Sequence, residues 1–412
     1  MPQSENGLQT GFTALATGAV LSPFTRLRQL LGDTKPGLSP EIQMTIGEPR
    51  EVMPNFVAAK IKEAEALFGK YPLIQGSDAL RTAIADWIDR RYKFEPAEKI
   101  DPAREVLAVS GSREGLFFAA LPAMGRKAVV GRPVIAMCNP FYATYIGAVL
   151  GVNGEPIYLN ATAETGHLPD LDQLAQDTDV LARMVALYVA SPANPQGAVA
   201  SADYILQALE LARRHNFMLF FDECYSEIYT GTPPIGALEV AAKTPCRFAN
   251  LVVFNSLSKR SNLPGLRSGF CAGDGAFLDT LREIRSLVAP QTPGPLQHAA
   301  AAVWADESHV DTTRAAYADK FLVCDEVLGD RFGYQRPPAG FFLWLNVSQF
   351  GGGGDAAVTL WKEAGVKVLP GAFLAQPDRA GINPGDDYIR LALVHDRNVI
   401  REALERIVTV LA

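Results

Sequence analysis

One lysine stands in the stretch "SLSKRSNLPGLRSGF" (256–270), among serines and arginines. Lys259 follows the apolar run "LVVFNSLS" (251–258), and Arg267 comes eight residues after it. A lysine near the end of a buried strand loses hydration, drops its pKa and becomes a nucleophile. The plain alternative is a solvated loop charge. What decides between them is the other chemistry the fold brings alongside. Asp222 closes a second apolar run, "FMLFFDE" (217–223), where a carboxylate taken out of water needs a partner. Tyr225 lies three residues on, a spacing that puts it on the same side of a helical start.

Other chemistry-bearing residues also follow apolar runs. "EVLAVSGSREG" sets Gly111, Ser112 and Arg113 at a strand-to-helix turn. The first backbone N–H groups of a helix favour an anion there, phosphate above all. "PVIAMCNPFYATY" delivers Phe141 and Tyr142. "MVALYVASPANPQG" places Asn194 before a proline, which holds its backbone extended and lets its amide reach into a cleft.

The elements that must position these residues are legible in outline. Most of the runs are apolar throughout rather than alternating, the pattern of strands covered on both faces. Helical segments separate most of them, such as "SADYILQALELARRHN" (201–216), with Ser201 as N-cap and Asp203 in the first turn. Strand and helix in alternation predict an α/β fold with a mainly parallel sheet, whose ligands bind beyond the carboxyl ends of the strands.

The last third reads differently. A long helical pattern runs from about Gln297 to Leu328, followed by a strand in "GFFLWLNVS" (340–348) and a loop at "GGGG" (351–354). "YIRLALV" (388–394) is a further strand, and residues 397–412 form an amphipathic closing helix. We therefore expect a large domain over residues 46–294 and a smaller α+β domain built from 1–45 and 295–412.

Bulk properties narrow the function. A chain of 412 residues with 48% hydrophobic composition buries a large core. A net charge of −7 argues against nucleic acid as a partner. The five cysteines are scattered and form no CxxC pair, which fits free thiols in a reducing compartment and offers no metal-ligand spacing. The apolar run "ALATGAVL" (14–21) is too short to span a membrane and has no basic lead. The expectation is a soluble cytoplasmic protein acting on small molecules.

An anion cradle, an aromatic ring, an amide, a carboxylate and an amine along one sheet edge would together serve one ligand, pyridoxal 5'-phosphate. Here the chain resembles the fold-type I pyridoxal-phosphate aminotransferases, class I/II, over nearly its whole length. "GSREG", "NPFYATY", "SPANPQG", "DECYSEIY", "SLSKRSNLPGLRSGF" and "YIRL" occur in that family's order. The resemblance implies a three-layer αβα large domain with a small domain from both termini. It implies that Lys259 is the covalent anchor for the cofactor aldehyde and the proton-transferring base. Asp222 would pair with the ring nitrogen. An ion pair near 4 Å is worth about 4 kcal/mol at an effective dielectric near 20, roughly three pKa units.

By the same resemblance, Tyr225 and Asn194 would bond the phenolic oxygen, and Tyr142, or Phe141 in its place, would stack on the ring. Gly111, Ser112, Arg113, Ser256, Ser258 and Arg267 would hold the phosphate. Arg390, with Gly47 of "IGEP" and Asn194, would receive the substrate α-carboxylate. Tyr71 would reach the cofactor phosphate of a partner subunit, which implies a homodimer.

Within the family, the lysine string with "IGEP" and "YPLIQG" is most similar to the proteobacterial N-succinyldiaminopimelate aminotransferases, which use L-glutamate in lysine biosynthesis. No arginine lies between Arg285 and Arg314, near where some aspartate aminotransferases carry a reader of the side-chain carboxylate. A broad aminotransferase working with aspartate, alanine or aromatic partners stays open, as does a C–S lyase on the same scaffold. A transcription regulator does not fit, since the segment before "IGEP" is too short and not basic enough for a DNA-binding module. Arg260 receives no role and is expected to be a solvated charge.

Overall fold

The computed structural model describes residues 13, 17 and 20–411. After a two-residue strand, β1 (Ile42–Gln43), seven strands build the central sheet. They are β2 (Val106–Val109), β3 (Val134–Asn139), β4 (Glu155–Asn160), β5 (Met184–Ala190), β6 (Met218–Asp222), β7 (Leu251–Ser256) and β8 (Gly269–Gly273), in the order β2-β8-β7-β6-β5-β3-β4.

The unbroken apolar runs have a direct cause. Successive side chains of a strand point to opposite faces, and both faces are covered. Leu187, Val189, Leu219 and Phe221 pack towards helices Asp78–Tyr92, Ala202–His215 and Gly294–Ala305. Their neighbours Ala186, Tyr188, Met218 and Phe220 pack the other way, towards helices Ser112–Met124, Ala143–Gly151 and Gly275–Val288. The result is a three-layer αβα arrangement. Ser201 caps its helix as expected, its hydroxyl accepting from the Tyr204 N–H at 3.1 Å.

Within this sheet β8 alone runs against its neighbours, pairing antiparallel with both β7 and β2. Residues 257–268 hold only one helical turn and a 3-10 turn, Pro264–Leu266. That is too little chain for a helical crossover, so the strand after the lysine must return. Edge strand β4 escaped the sequence reading because all its residues but Ile157 are only half-buried and they include Pro156, a residue typical of edges.

The second core gathers β9 (Phe342–Asn346), β10 (Val366–Lys367), β11 (Leu369–Pro370) and β12 (Tyr388–Ala392) with the closing helix Arg397–Val410. Strands β11, β12 and β9 form an antiparallel sheet, and β1 joins β10 in parallel, so an N-terminal segment packs with the last third.

Two local expectations are corrected. "GGGG" is not simply a loop: Gly351 is the N-cap, at φ 82°, of helix Gly352–Thr359. A side chain on Gly353 would run into the Tyr388 carbonyl, so glycine here permits close packing on β12. The long helical pattern also breaks in two, into Gly294–Ala305 and Ser308–Leu328. The Asp306 carboxylate stops it by accepting from the Ser308 hydroxyl at 2.9 Å and the His309 N–H at 3.3 Å. Ala299, Ala300, Val303 and Trp304 lie in the large-sheet core, whereas Phe321, Val323 and Leu328 lie in the second core. The chain thus passes from one core to the other across the joint at Asp306–Glu307.

No helix among the described residues is long and apolar enough to cross a membrane. The run at 14–21 falls mostly outside those residues.

Candidate active site

A cavity of about 810 Å³ opens where the carboxyl ends of β5, β6 and β7 meet the second core. Lys259 projects into it from the one-turn helix Leu257–Arg260, which follows β7 directly. The Ser256 hydroxyl caps that turn, accepting from the Ser258 N–H at 3.3 Å. The amine donates to the Gly47 carbonyl and lies 5.5 Å from the centre of the Phe341 ring. Burial pushes its pKa down to about 8 against an upward pull from Cys224, and the cations Arg390 and Arg113 add to the lowering. An amine that sheds its proton this close to neutrality is a competent nucleophile and base.

Asp222 ends β6 on the cavity wall and is buried. Burial raises its pKa, while bonds from Cys224 and Tyr145 lower it. The Tyr145 hydroxyl donates to Oδ2 at 2.8 Å and the Cys224 N–H to Oδ1 at 3.2 Å. Tyr145 is itself stacked on Tyr188 at 4.8 Å between ring centres. Reading along the chain missed Tyr145, although it closes the quoted "NPFYATY". Its partner is 77 residues away, and no local pattern announces that bond.

The turn before helix Ser112–Met124 carries Gly111 at φ 85°. The Glu114 carboxylate fixes this turn by accepting from the Ser110 N–H at 2.8 Å and pairing with buried Arg285 at 2.7 Å. Arg267 is exposed and bonds back to the Ser110 carbonyl at 3.0 Å and the Pro264 carbonyl at 2.9 Å. Its guanidinium lies where a Gly111 side chain would stand. Ser112, Ser256 and Ser258 line the same end of the cavity, and the Cys224 thiol sits 3.1 Å from the Ser112 hydroxyl. Arg113 turns instead to Tyr142, donating to its hydroxyl at 2.8 Å. Phe141 is buried and stacked on Tyr158 at 5.6 Å, which leaves Tyr142 the freer ring.

The opposite wall comes from the second core. Arg390, on β12, is buried against the Phe342 ring, 4.4 Å from its centre. It donates to the Thr45 carbonyl at 2.7 Å and to Asn194 Oδ1 at 3.2 Å. Its Nε has no partner among the described residues. Burial pulls its pKa down to about 10, with Tyr225 opposing. Gly47 lies flat on Phe342, where a Cβ would come within 2.5 Å of the ring.

Tyr225 also faces the cavity, edge-on to Phe341 at 5.3 Å, but not from a helical start. Residues 223–227 form successive turns, because the Glu223 carboxylate is drawn inward to accept from the Tyr92 hydroxyl and the Ala237 N–H, each at 2.7 Å. Tyr71 is not brought to this cavity and is fully exposed. Arg260 corrects the sequence reading outright: it is 1% exposed, packed against Trp87 and Trp304, and not a solvated charge.

Together these groups offer a near-neutral amine, a buried carboxylate, an anion seat at a helix start and a buried guanidinium across from it. Comparison with known proteins agrees with that chemistry. The family described as "Aminotransferase class I and II" matches residues 39–407. An LL-diaminopimelate aminotransferase of Syntrophobacter fumaroxidans is 30% identical over 372 residues, covering 89% of this chain and 90% of that protein. The crystal structure of an aminotransferase from Neisseria meningitidis is similar with a TM-score of 0.89 at 36% identity, covering 96% of this chain and 99% of the other. Aminotransferase AspB from Helicobacter pylori gives 0.84 at 32% identity, covering 94% and 98%.

Proposed function

We propose that this chain, which belongs to the class I and II aminotransferases, moves an amino group between L-glutamate and N-succinyl-2-amino-6-oxopimelate, with Lys259 as the reacting amine. The family implies pyridoxal 5'-phosphate, and the residues present fit it. The Gly111 turn leaves no room for a side chain and opens a helix N-terminus flanked by Ser112, Ser256, Ser258 and Arg267, a seat for a phosphate. Asp222 is buried with only Tyr145 and Cys224 as partners among the described residues, which suits a protonated ring nitrogen.

When bound, the cofactor supplies an aldehyde for the amine and a ring that takes up the electron pair left by proton loss at the substrate Cα. The chain's own residues do the rest. Lys259 Nζ, neutral above about pH 8, would be the amine that holds the cofactor and is freed when substrate binds. The freed Nζ would then accept the Cα proton and carry it to the carbon on the other side of the substrate nitrogen. Asp222 keeps the ring nitrogen protonated, and Tyr145 holds Asp222 in place. Asn194 and Tyr225 would hold the phenolic oxygen, and Tyr142 would pack against the ring. Arg390 receives the α-carboxylate, helped by Asn194 and by the close approach that Gly47 permits.

A single observation carries this reading. Lys259, Asp222 and Arg390 come from distant segments, line one cavity, and two of them are buried there without an opposite charge among the described residues. For the substrate, the support is the diaminopimelate relative and the cavity of about 810 Å³, which Phe24, Ile46 and Leu374 line with apolar side chains. For a homodimer, the support is Tyr71, which is exposed together with the apolar Phe68 and Leu73.

The test adds L-glutamate to purified protein and follows the cofactor spectrum, then offers a panel of 2-oxo acids. Conversion by glutamate, followed by fastest recovery with the succinylated oxopimelate, is the expected result. No conversion by glutamate removes the glutamate-dependent reading. Equal recovery with oxaloacetate, pyruvate or aromatic oxo acids would make the enzyme a broad one. Ammonia and pyruvate released from cystathionine would make it a lyase.

A further inference from the structure

We propose that Arg260 is a positioning residue for Lys259, fastening the turn that carries the amine to the joint between the two cores. The inference rests on the reading of Lys259 as the reacting amine.

Arg260 is the residue next to Lys259, yet it does not line the cavity. Its guanidinium points the other way, into the joint where helix Gly294–Ala305 ends and helix Ser308–Leu328 begins. One nitrogen donates to the Val303 carbonyl and the Ser261 hydroxyl, each at 3.1 Å. The other donates to the Asp306 carbonyl at 3.1 Å and to Glu307 Oε1 at 2.6 Å. The last carbonyls of a helix lack intrahelical partners and carry partial negative charge. A planar fork can serve several such acceptors at once, which a lysine cannot. Trp87 and Trp304 close over the group, with its centre 5.6 and 5.0 Å from their rings.

The clamp continues along the chain. The Ser261 hydroxyl is 2.8 Å from His309 Nε2, and Asn262 Nδ2 donates to Thr313 Oγ1 at 2.9 Å. Three consecutive residues after Lys259 therefore grip the same joint and the first turns of the helix that enters the second core. Arg390 reaches the cavity from that second core, so the distance between the amine and the carboxylate seat passes through this joint. Lys259 sits on a helix of one turn, which has no rigidity of its own. Held by Arg260, the amine keeps its buried place. Released, it gains freedom and water.

The experiment compares wild type, Arg260→Gln, Arg260→Lys and Glu307→Gln as purified full-length protein. The probe is pyridoxal phosphate added to cofactor-free protein at a series of pH values, trapped on Lys259 by borohydride and located by peptide mass, so that the pH midpoint of capture reads the amine. In R260Q the midpoint moves up towards an ordinary lysine, because the amine regains water. Its kcat for L-glutamate falls by about ten- to a hundredfold, the scale of a misplaced reacting group, with KM changed by less than about twofold. R260K recovers thermal stability more than kcat. If R260Q does not fold, E307Q decides, with the same shifts at smaller size. A variant that lowers the melting temperature while leaving both midpoint and kcat at wild-type values reduces Arg260 to a structural ion pair and overturns the proposal. Failure of wild type to trap the probe at Lys259 would instead overturn the reading beneath it.

Discussion

The Tyr145 hydroxyl donates at 2.8 Å to the buried Asp222 carboxylate, so the acid at the end of β6 is held by a residue from the helix after β3. A hydrogen bond to a charged group contributes about 1.5–3 kcal/mol. Tyr145→Phe keeps the stack on Tyr188 and removes only that bond. Its kcat should fall by roughly tenfold, with the pH profile of the bound cofactor displaced, because Asp222 loses a bond that lowers its pKa. A pH titration of the cofactor absorbance checks this, and an unchanged profile would deny Tyr145 its part.

Lys259 should react as a weak base. In cofactor-free protein its amine is protonated below about pH 8 and free above it. Capture of pyridoxal phosphate should rise with pH and level off just above that point. An ordinary lysine, with a pKa of about 10.4, would go on gaining. Arg390→Met removes one of the cations that depress Lys259, so the midpoint should move up in that variant.

Arg390→Met should also cost kcat/KM for L-glutamate by about a hundredfold or more, since losing one partner of a buried charge pair costs about 2–5 kcal/mol. Arg390→Lys should recover little, because one ammonium cannot replace a fork bonded to Thr45 and Asn194. Steady-state kinetics with glutamate and with 4-aminobutyrate, the same amine without the α-carboxylate, separates loss of the carboxylate contact from general damage. A uniform drop in kcat alone would count against the assigned role.

Gly111→Ala should weaken cofactor binding. The backbone there, at φ 85° and ψ 154°, is open almost only to glycine, and forcing another residue into it costs about 1–3 kcal/mol. The new methyl would also push the Arg267 guanidinium off the turn. Equilibrium dialysis with pyridoxal phosphate should show about tenfold weaker affinity. Wild-type affinity would place the phosphate elsewhere.

Tyr71 gives the homodimer a direct test. Mixed subunits of Tyr71→Phe and Lys259→Ala should regain activity that neither variant has in full, because one site of each mixed pair is intact. Sedimentation of wild type should give twice the mass of one chain. A monomer with full activity would remove Tyr71 from the site.

Much of this was readable along the chain because its causes are local. Asp222 and Lys259 end apolar runs, and apolar runs without alternation are strands covered on both faces. Gly111 before Ser112 marks a tight turn into a helix, whatever lies around it. These signals depend on side-chain period, turn residues and helix starts, all set within a few residues. They fixed the α/β class and the sheet edge on which the site stands.

Contacts between distant segments were decided only by tertiary structure. The direction of β8 depended on how little chain the lysine turn leaves for a crossover. Tyr145 found Asp222, and Arg390 found Asn194 and Thr45, across gaps that no local pattern spans. Arg260 makes the contrast plainest. A charge after a strand reads as solvated, and whether water reaches it depends on what covers it. Here Trp87, Trp304 and the end of a helix more than 30 residues later do so.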